Sequence, residues 1–210
     1  MPDRRLRVLV VGASGTLGQA VVTELQDRHD IVKAGSQTGD VRIDITDPGS
    51  LVAGLKSAGQ LDAVCCTAGK VKFDPLSTIE PLPLEQSSYG LGLVNKLMGQ
   101  VNLVLAARDH LSDGGSITLI SGILADAAIA GGTSASMVNA ALEGFVRTAA
   151  CELPRGLRLN LVSPTVFEES MGSYGPFFRG FEPVPVRKAA LAFSRSVEGI
   201  ETGHTYRIGM

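Results

Sequence analysis

The sequence predicts a doubly wound α/β fold: one parallel sheet with helices on both faces, in a single domain spanning 1–210. Three observations predict it. Short apolar runs of strand length alternate with segments of helical periodicity along the whole chain. A glycine-spaced turn joins the first run to the first helix. With 210 residues, 44% of them hydrophobic, and 25 glycines, the chain is long enough for a substantial core and glycine-rich enough for tight connections. No internal repeat or linker marks a second domain.

Leu6 to Val11 reads as a buried parallel strand ended by glycines, and Leu17 to Leu25 has apolar residues at helical spacing. Ile31 to Ala34 is a second strand and Val41 to Ile45 a short extended piece. Asp47 and Pro48 suit the N-cap and first position of the next helix. Leu61 to Cys66 is another buried strand. Pro75, Pro81 and Pro83 make 70–86 a loop, and a long helix is expected from Tyr89 to His110 despite its glycines. Asp113-Gly114-Gly115 turns into the strand Ser116 to Ile120. Ala135 to Leu153 is a helix stopped by Pro154, and Leu157 to Val162 a strand. The Pro-, Gly- and Phe-rich stretch 164–185 reads as a mobile lid. Val186 to Val197 is a helix and Thr205 to Ile208 the last strand.

A net charge of −2 without a long basic run gives no support for nucleic-acid binding. No apolar stretch of about 18 residues predicts a membrane span, and the segment Met1 to Arg7 lacks the apolar run of a signal peptide. Cys65, Cys66 and Cys151 lie in apolar contexts and read as buried thiols of a cytoplasmic protein. His29, His110 and His204 are scattered, so no metal site is expected.

Gly12-Ala13-Ser14-Gly15-Thr16-Leu17-Gly18 closes the first strand and opens the first helix. The first glycine permits the tight turn, the second a close approach of backbone to a pyrophosphate, and the third close packing of helix on strand. The amides and dipole at the helix N-terminus favour an anion. A glycine-rich turn without a ligand is the alternative.

The chain resembles the short-chain dehydrogenase/reductase family, which has a Rossmann-like fold, along nearly its whole length. The glycine loop matches the family's nucleotide loop with altered spacing. Asp44-Ile45-Thr46-Asp47 is similar to its Asp-Val-Thr-Asp segment, where the Asp and the next residue contact adenine. Thr67-Ala68-Gly69 stands at the end of the strand that finishes Asn-Asn-Ala-Gly in the family. Ser163-Pro164-Thr165 resembles Ser-Pro-Gly, and Thr202-Gly203 the usual Thr-Gly. The resemblance implies that Gly12, Ser14, Gly15, Thr16, Leu17, Gly18, Ser36, Asp44, Ile45, Thr67, Ala68, Gly69, Pro164 and Thr165 bind the cofactor. The second strand ends Gly35-Ser36-Gln37-Thr38, without the carboxylate that would hold ribose hydroxyls and repel a 2′-phosphate. That favours NADP(H) over NAD(H); ordinary loop polars are the alternative.

The family's catalytic residues are a Ser, a Tyr, a Lys four residues after it, and an Asn on the preceding helix. All four positions differ here. Ala135 stands at the Tyr and Asn139 at the Lys. Gly122 falls at the Ser with Ser121 one residue before it. Lys96, in Lys96-Leu97-Met98-Gly99, stands where the Asn would be. Ser121 reads either as a displaced catalytic serine or as a strand-end serine. Lys96 reads either as a desolvated site lysine of lowered pKa or as one snorkelling from a packed helix. Tyr89 and Tyr174 border the expected pocket, and Phe177 and Phe178 stand in the lid. The resemblance implies an oxidoreductase acting on a small carbonyl or alcohol with a non-standard centre; the alternative is a non-catalytic NADP(H)-binding sensor or regulatory protein. It also implies a homo-dimer or homo-tetramer through the helices near 89–110 and 135–153, where Gly99, Leu103, Ala106 and Ala107 would permit close packing; packing within the chain alone is the alternative.

Overall fold

The computed structural model describes residues 4–210; the first three residues of the segment read for a signal peptide lie outside them. Seven strands form one fully parallel sheet: β1 (Arg7–Val11), β2 (Asp30–Gly35), β3 (Val41–Arg42), β4 (Leu61–Cys66), β5 (Leu111–Ile120), β6 (Arg158–Pro164) and β7 (Thr205–Ile208). Their order is β3-β2-β1-β4-β5-β6-β7. β1 pairs with β2 on one side (Val11 opposite Ala34) and with β4 on the other (Val11 opposite Cys66). The strand order reverses there, and a crevice opens beyond the carboxyl ends of β1 and β4.

The strand period of two sorts the core into two layers. Leu9, Val11, Val64 and Cys66 face α2 (Pro48–Ala58), α3 (Gly99–Ala107) and α4 (Thr133–Glu152), which bring Leu55, Leu103, Val138 and Leu142. Val8, Val10, Ala63 and Cys65 face α1 (Thr16–Leu25) and α6 (Val186–Glu198), which bring Val21, Leu25, Ala189 and Phe193. The adjacent thiols of Cys65 and Cys66 thus point into opposite layers, both fully buried. Cys151 departs from expectation. It sits on the outward side of α4, exposed, with its thiol donating to the Arg147 carbonyl.

The expected start of α2 is present: Asp47 accepts from the Gly49 amide at 2.8 Å, with Pro48 first in the helix. β5 is longer than predicted because 111–115 pairs irregularly: Leu61 opposes Leu111, yet Ala63 opposes Ser116, and the predicted turn survives as a bulge with Gly114 at φ +73°. The piece expected at Val41 to Ile45 is a strand only at Val41–Arg42. The long helix is helical over 90–107, but Gly92–Met98 forms a π-helical stretch before α3. Such a widened turn re-aims the side chains it carries. The segment expected as a mobile lid begins with Pro164, which ends β6, and the buried Thr165 and Val166. Its remainder holds the short α5 (Met171–Tyr174) and packs through Phe178. The expected packing surface is also corrected: Leu103 and Ala107 are fully buried against the sheet, Ala106 packs beside them, and Gly99 lies on Ile45.

Gln100 locks α3 to the sheet. Its Nε2 donates to the Ile120 carbonyl and its Oε1 accepts from the Ile120 amide, both at 2.9 Å and fully buried. The side chain thereby acts as a missing strand at the end of β5. Gln100→Leu leaves both Ile120 groups unpaired, so a loss of about 2–5 kcal/mol is expected in denaturant unfolding.

Candidate functional site

Two clefts open at the carboxyl ends of the strands and meet at Gly69 and Lys70. The smaller, about 240 Å³, lies over β1 and β2. Its walls are Gly12, Ser14, Gly35 and Ser36 on one side and Asp44, Ile45 and Asn95 on the other. The glycines are there for geometric reasons. Gly12 has φ +86°, and a Cβ on it would lie 2.9 Å from the Thr67 hydroxyl; a Cβ on Gly18 would overlap the Gly12 carbonyl. No side chain among the described residues caps α1, whose N-terminus opens at this loop with Gly15 in the N-cap position and no acidic residue in its first turn. Thr16 is exposed, while Leu17 packs into the core rather than toward the cleft. Thr67 is turned inward, its hydroxyl donating to the Val11 and Gly12 carbonyls. Asp44 accepts from the Thr46 hydroxyl and amide at 2.7 and 2.9 Å, which holds its carboxyl below the usual range.

The larger cleft, about 520 Å³, lies over β4, β5 and β6. Lys96 stands in its wall, only 9% exposed. The ammonium Nζ donates to the Ser121 carbonyl at 2.9 Å and to Asn139 Oδ1 at 2.8 Å. Burial pulls its pKa from 10.5 to about 8, against a smaller opposing pull from Cys66, whose own thiol burial pushes up to about 12. Lys96 therefore points inward and does not snorkel. Three of its neighbours are shaped for it. The stem lies on Gly69, where a Cβ would fall 2.6 Å from Lys96 Cγ. Asn139, where the family has its Lys, accepts from the ammonium; a second lysine there would repel it. A Cβ on Gly122 would lie 3.2 Å from the Asn139 amide, so a serine at that position would crowd the pair.

Ser121 is buried at the cleft, but it contributes its carbonyl; its hydroxyl faces the Val162 carbonyl at 3.5 Å. Ala135 lines the wall, with no proton to give. Pro164 and Thr165 line it too, and the buried Thr165 hydroxyl has no hydrogen-bond partner among the described residues. Tyr174 reaches the cleft from α5, packed edge-on to Phe73 at 5.7 Å. Tyr89 does not line it and instead lies 3.3 Å from the Thr133 hydroxyl. Phe178 lines the cleft, and Phe177 stacks on Phe73 beside it. Sequence reasoning missed Asn95, whose Oδ1 accepts from the Lys70 amide at 2.7 Å and fixes the junction of the two clefts. Asn95 and Lys96, adjacent on the π-helical stretch, diverge to the smaller and the larger cleft.

The donor set suits a dinucleotide. Unfilled backbone amides at a helix N-terminus, glycines that keep the cradle open, and an orphaned buried hydroxyl at the far end are what such a ligand needs. Among the described residues, no group of three or more His, Cys, Asp and Glu stands ready for a metal, and no helix is long and apolar enough to cross a membrane.

Comparison with known proteins agrees with this geometry. The family model described as enoyl-(acyl carrier protein) reductase matches residues 6–202. The crystal structure of lin1944 from Listeria innocua is 43% identical and covers 96% of this chain and 98% of its own, with a TM-score of 0.91. A small-chain dehydrogenase solved with NADPH is 23% identical over 97% of this chain and 96% of its own, with a TM-score of 0.84, which shows the shared fold. Hydroxynaphthalene reductase arp2 of Aspergillus fumigatus is 26% identical over 187 residues, 78% of this chain. The alignments to curated relatives span 67% and 61% of those proteins' own lengths. Sheet order, glycine loop and whole-length match together establish that the chain belongs to the short-chain dehydrogenase/reductase family.

Proposed function

We propose that the protein is an NADP(H)-dependent oxidoreductase that reduces the carbonyl of a small apolar substrate, with Lys96 in place of the tyrosine acid. The observation that carries this reading is the buried Lys96 ammonium, held by Ser121 and Asn139 in a cleft continuous with the glycine-loop groove. A merely eroded site would not keep a buried cation that costs stability. The loop from Gly12 to Gly18 would hold the pyrophosphate, Asp44 and Ile45 the adenine, and Pro164 and Thr165 the nicotinamide end. When bound, the nicotinamide supplies hydride.

The chain's own part is to place and charge the carbonyl. Two N–H bonds of Lys96 are committed to fixed acceptors, so the third has one direction left for a substrate oxygen. There the ammonium opposes the negative charge that develops on oxygen and donates the proton. Val71, Phe73, Leu124 and Phe178 exclude water and suit an apolar body. The likeness to a hydroxynaphthalene reductase of Aspergillus supports a reductase of that kind.

Gly35 and Ser36 border the ribose side of the groove. Asp40 is turned back to accept from the Lys33 amide at 2.8 Å, and Asp44, the carboxylate in the groove wall, is engaged by the Thr46 hydroxyl and amide. NADPH should bind about tenfold more tightly than NADH, a difference read by fluorescence titration. Consumption of NADPH against a panel of aldehydes, ketones and quinones tests the activity. Binding without turnover across the panel would instead favour a sensor.

We also propose a homodimer through exposed apolar residues other than those expected: Leu91, Val94, Met98 and Leu105 on the long helix, and Met137 on α4. Sedimentation should show a dimer, and Val94→Asp should shift it to monomer. The free buried thiols of Cys65 and Cys66 suit a reducing cytoplasm.

A further inference from the structure

The nitrogen of Lys96 is tetrahedral, and three of its positions are fixed. One is Cε; the others are hydrogens donated to the Ser121 carbonyl and to Asn139 Oδ1. In the ammonium the fourth position holds a third hydrogen. In the free amine it holds the lone pair. Ser121, Asn139 and the stem contact on Gly69 close the other sides, so the lone pair is left the cleft. Both acceptors serve the neutral amine as well as the charged one. Among the described residues no Asp or Glu lines the cleft to hold the amine protonated, and its walls are largely apolar and aromatic.

We propose that Lys96 in its neutral form is a nucleophile that captures aldehydes and ketones with apolar, aromatic-sized bodies as imines. This activity is separate from hydride transfer and needs no dinucleotide. The lone pair attacks the carbonyl carbon, and the carbon–oxygen π pair moves to oxygen. That oxygen takes a proton from water while the nitrogen releases one, giving a carbinolamine. The nitrogen pair then expels the hydroxyl, which gains a proton from water and leaves as water, while the nitrogen gives its last hydrogen back to water and releases its bonds to Ser121 and Asn139. One amine and one carbonyl yield one imine and one water, with no net oxidation. A desolvated lysine is the form in which this chemistry is accessible near neutral pH.

The titratable groups facing Lys96 are Cys66 from β4, Lys70 from the following loop and Tyr174 from α5. β5 and α4 present only the neutral Ser121 and Asn139. Burial brings the Lys96 amine to about 8, while Cys66 stays protonated to about 12. Its reactive fraction therefore grows as pH rises through about 8, well before that of a solvated lysine.

The test is reductive trapping on the whole wild-type chain, without dinucleotide. Benzaldehyde and cyanoborohydride are added near neutral pH, and N-benzyl lysines are located by peptide mass mapping. Lys96 should be labelled about tenfold or more faster than the exposed Lys70, with a rate that climbs through pH 8. Lys96→Arg should lose that label and keep surface labelling. Labelling of Lys96 no faster than Lys70, or a pH profile matching that of surface lysines, overturns the proposal. NADP(H) affinity is titrated separately on the same sample, so failure of the dinucleotide reading leaves this result standing.

Discussion

Lys96→Met is expected to make the protein more stable and to cost it about 10²–10⁴-fold in carbonyl reduction. Both effects come from one buried charge. The Lys96 pKa is about 8 in the folded chain and 10.5 when solvated. Between those values the unfolded chain holds a proton that the folded chain has released. Stability contributed by this group therefore rises with pH across that window, and below pH 8 the folded state carries the whole penalty, about 3 kcal/mol. Methionine keeps the stem's volume on Gly69 and removes the charge. Ser121 and Asn139 line the cleft, where solvent can replace the ammonium at the two acceptors that lose it, unlike the sealed Ile120 groups beside Gln100. Part of the gain is returned, and a net increase of about 1–2 kcal/mol is expected at neutral pH. The increase should shrink toward pH 10.5. The catalytic loss follows because methionine can neither donate a proton nor oppose charge on the substrate oxygen. In the wild type, kcat/KM for reduction should fall as pH rises through 8, where the ammonium disappears. Denaturant unfolding across pH, alongside NADPH consumption, checks both halves. A variant that is destabilised at neutral pH, or fully active, would show that Lys96 is an ordinary packing residue. Stability gained where function is lost marks a residue kept for its chemistry.

The architecture was legible because buried parallel strands write themselves as short apolar runs, and β1, β4 and β6 follow that rule, while the edge strand β7 buries only Tyr206. The site was legible in its parts. Lys96, Asn139 and Ser121 could each be singled out as departures from a family pattern. What the sequence could not show is that they touch. Asn139 is 43 positions from Lys96, and only the packing of α4 against the π-helical stretch brings them together. The role of Ser121 was hidden for a different reason: it acts through its backbone, which any residue would supply. Asn95 was invisible because it acts on a backbone amide 25 positions away, that of Lys70. The packing surface failed because period alone does not say which side of an apolar helix meets the sheet. Leu103 and Ala107 lie on that side, while Val94, Met98 and Leu105 face outward.

Gly15→Ala should fold normally and lose dinucleotide binding, whereas Gly18→Ala should lose both folding stability and binding. The three loop glycines do different work, and the pair separates a ligand cradle from a mere tight turn. A Cβ on Gly15 meets only the Gly12 carbonyl, at 3.4 Å, and otherwise open space. Gly15 has φ −76° and ψ 166°, a conformation alanine adopts freely. Unfolding free energy should therefore change by less than about 1 kcal/mol. The same methyl would stand where a pyrophosphate must approach the backbone, so NADPH affinity should fall about tenfold or more. On Gly18 the methyl would overlap the Gly12 carbonyl and lie 2.8 Å from Ala13 Cα. Those atoms are backbone and cannot swing aside, so α1 must shift from β1 at a cost of about 1–3 kcal/mol. Differential scanning calorimetry and NADPH titration of both variants measure the contrast. Unimpaired NADPH binding by Gly15→Ala would mean that the loop is only a turn. If Gly15→Ala instead loses binding while keeping its melting temperature, the groove over β1 is a working nucleotide site. Lys96 would then stand beside the position where its nicotinamide end must come to rest.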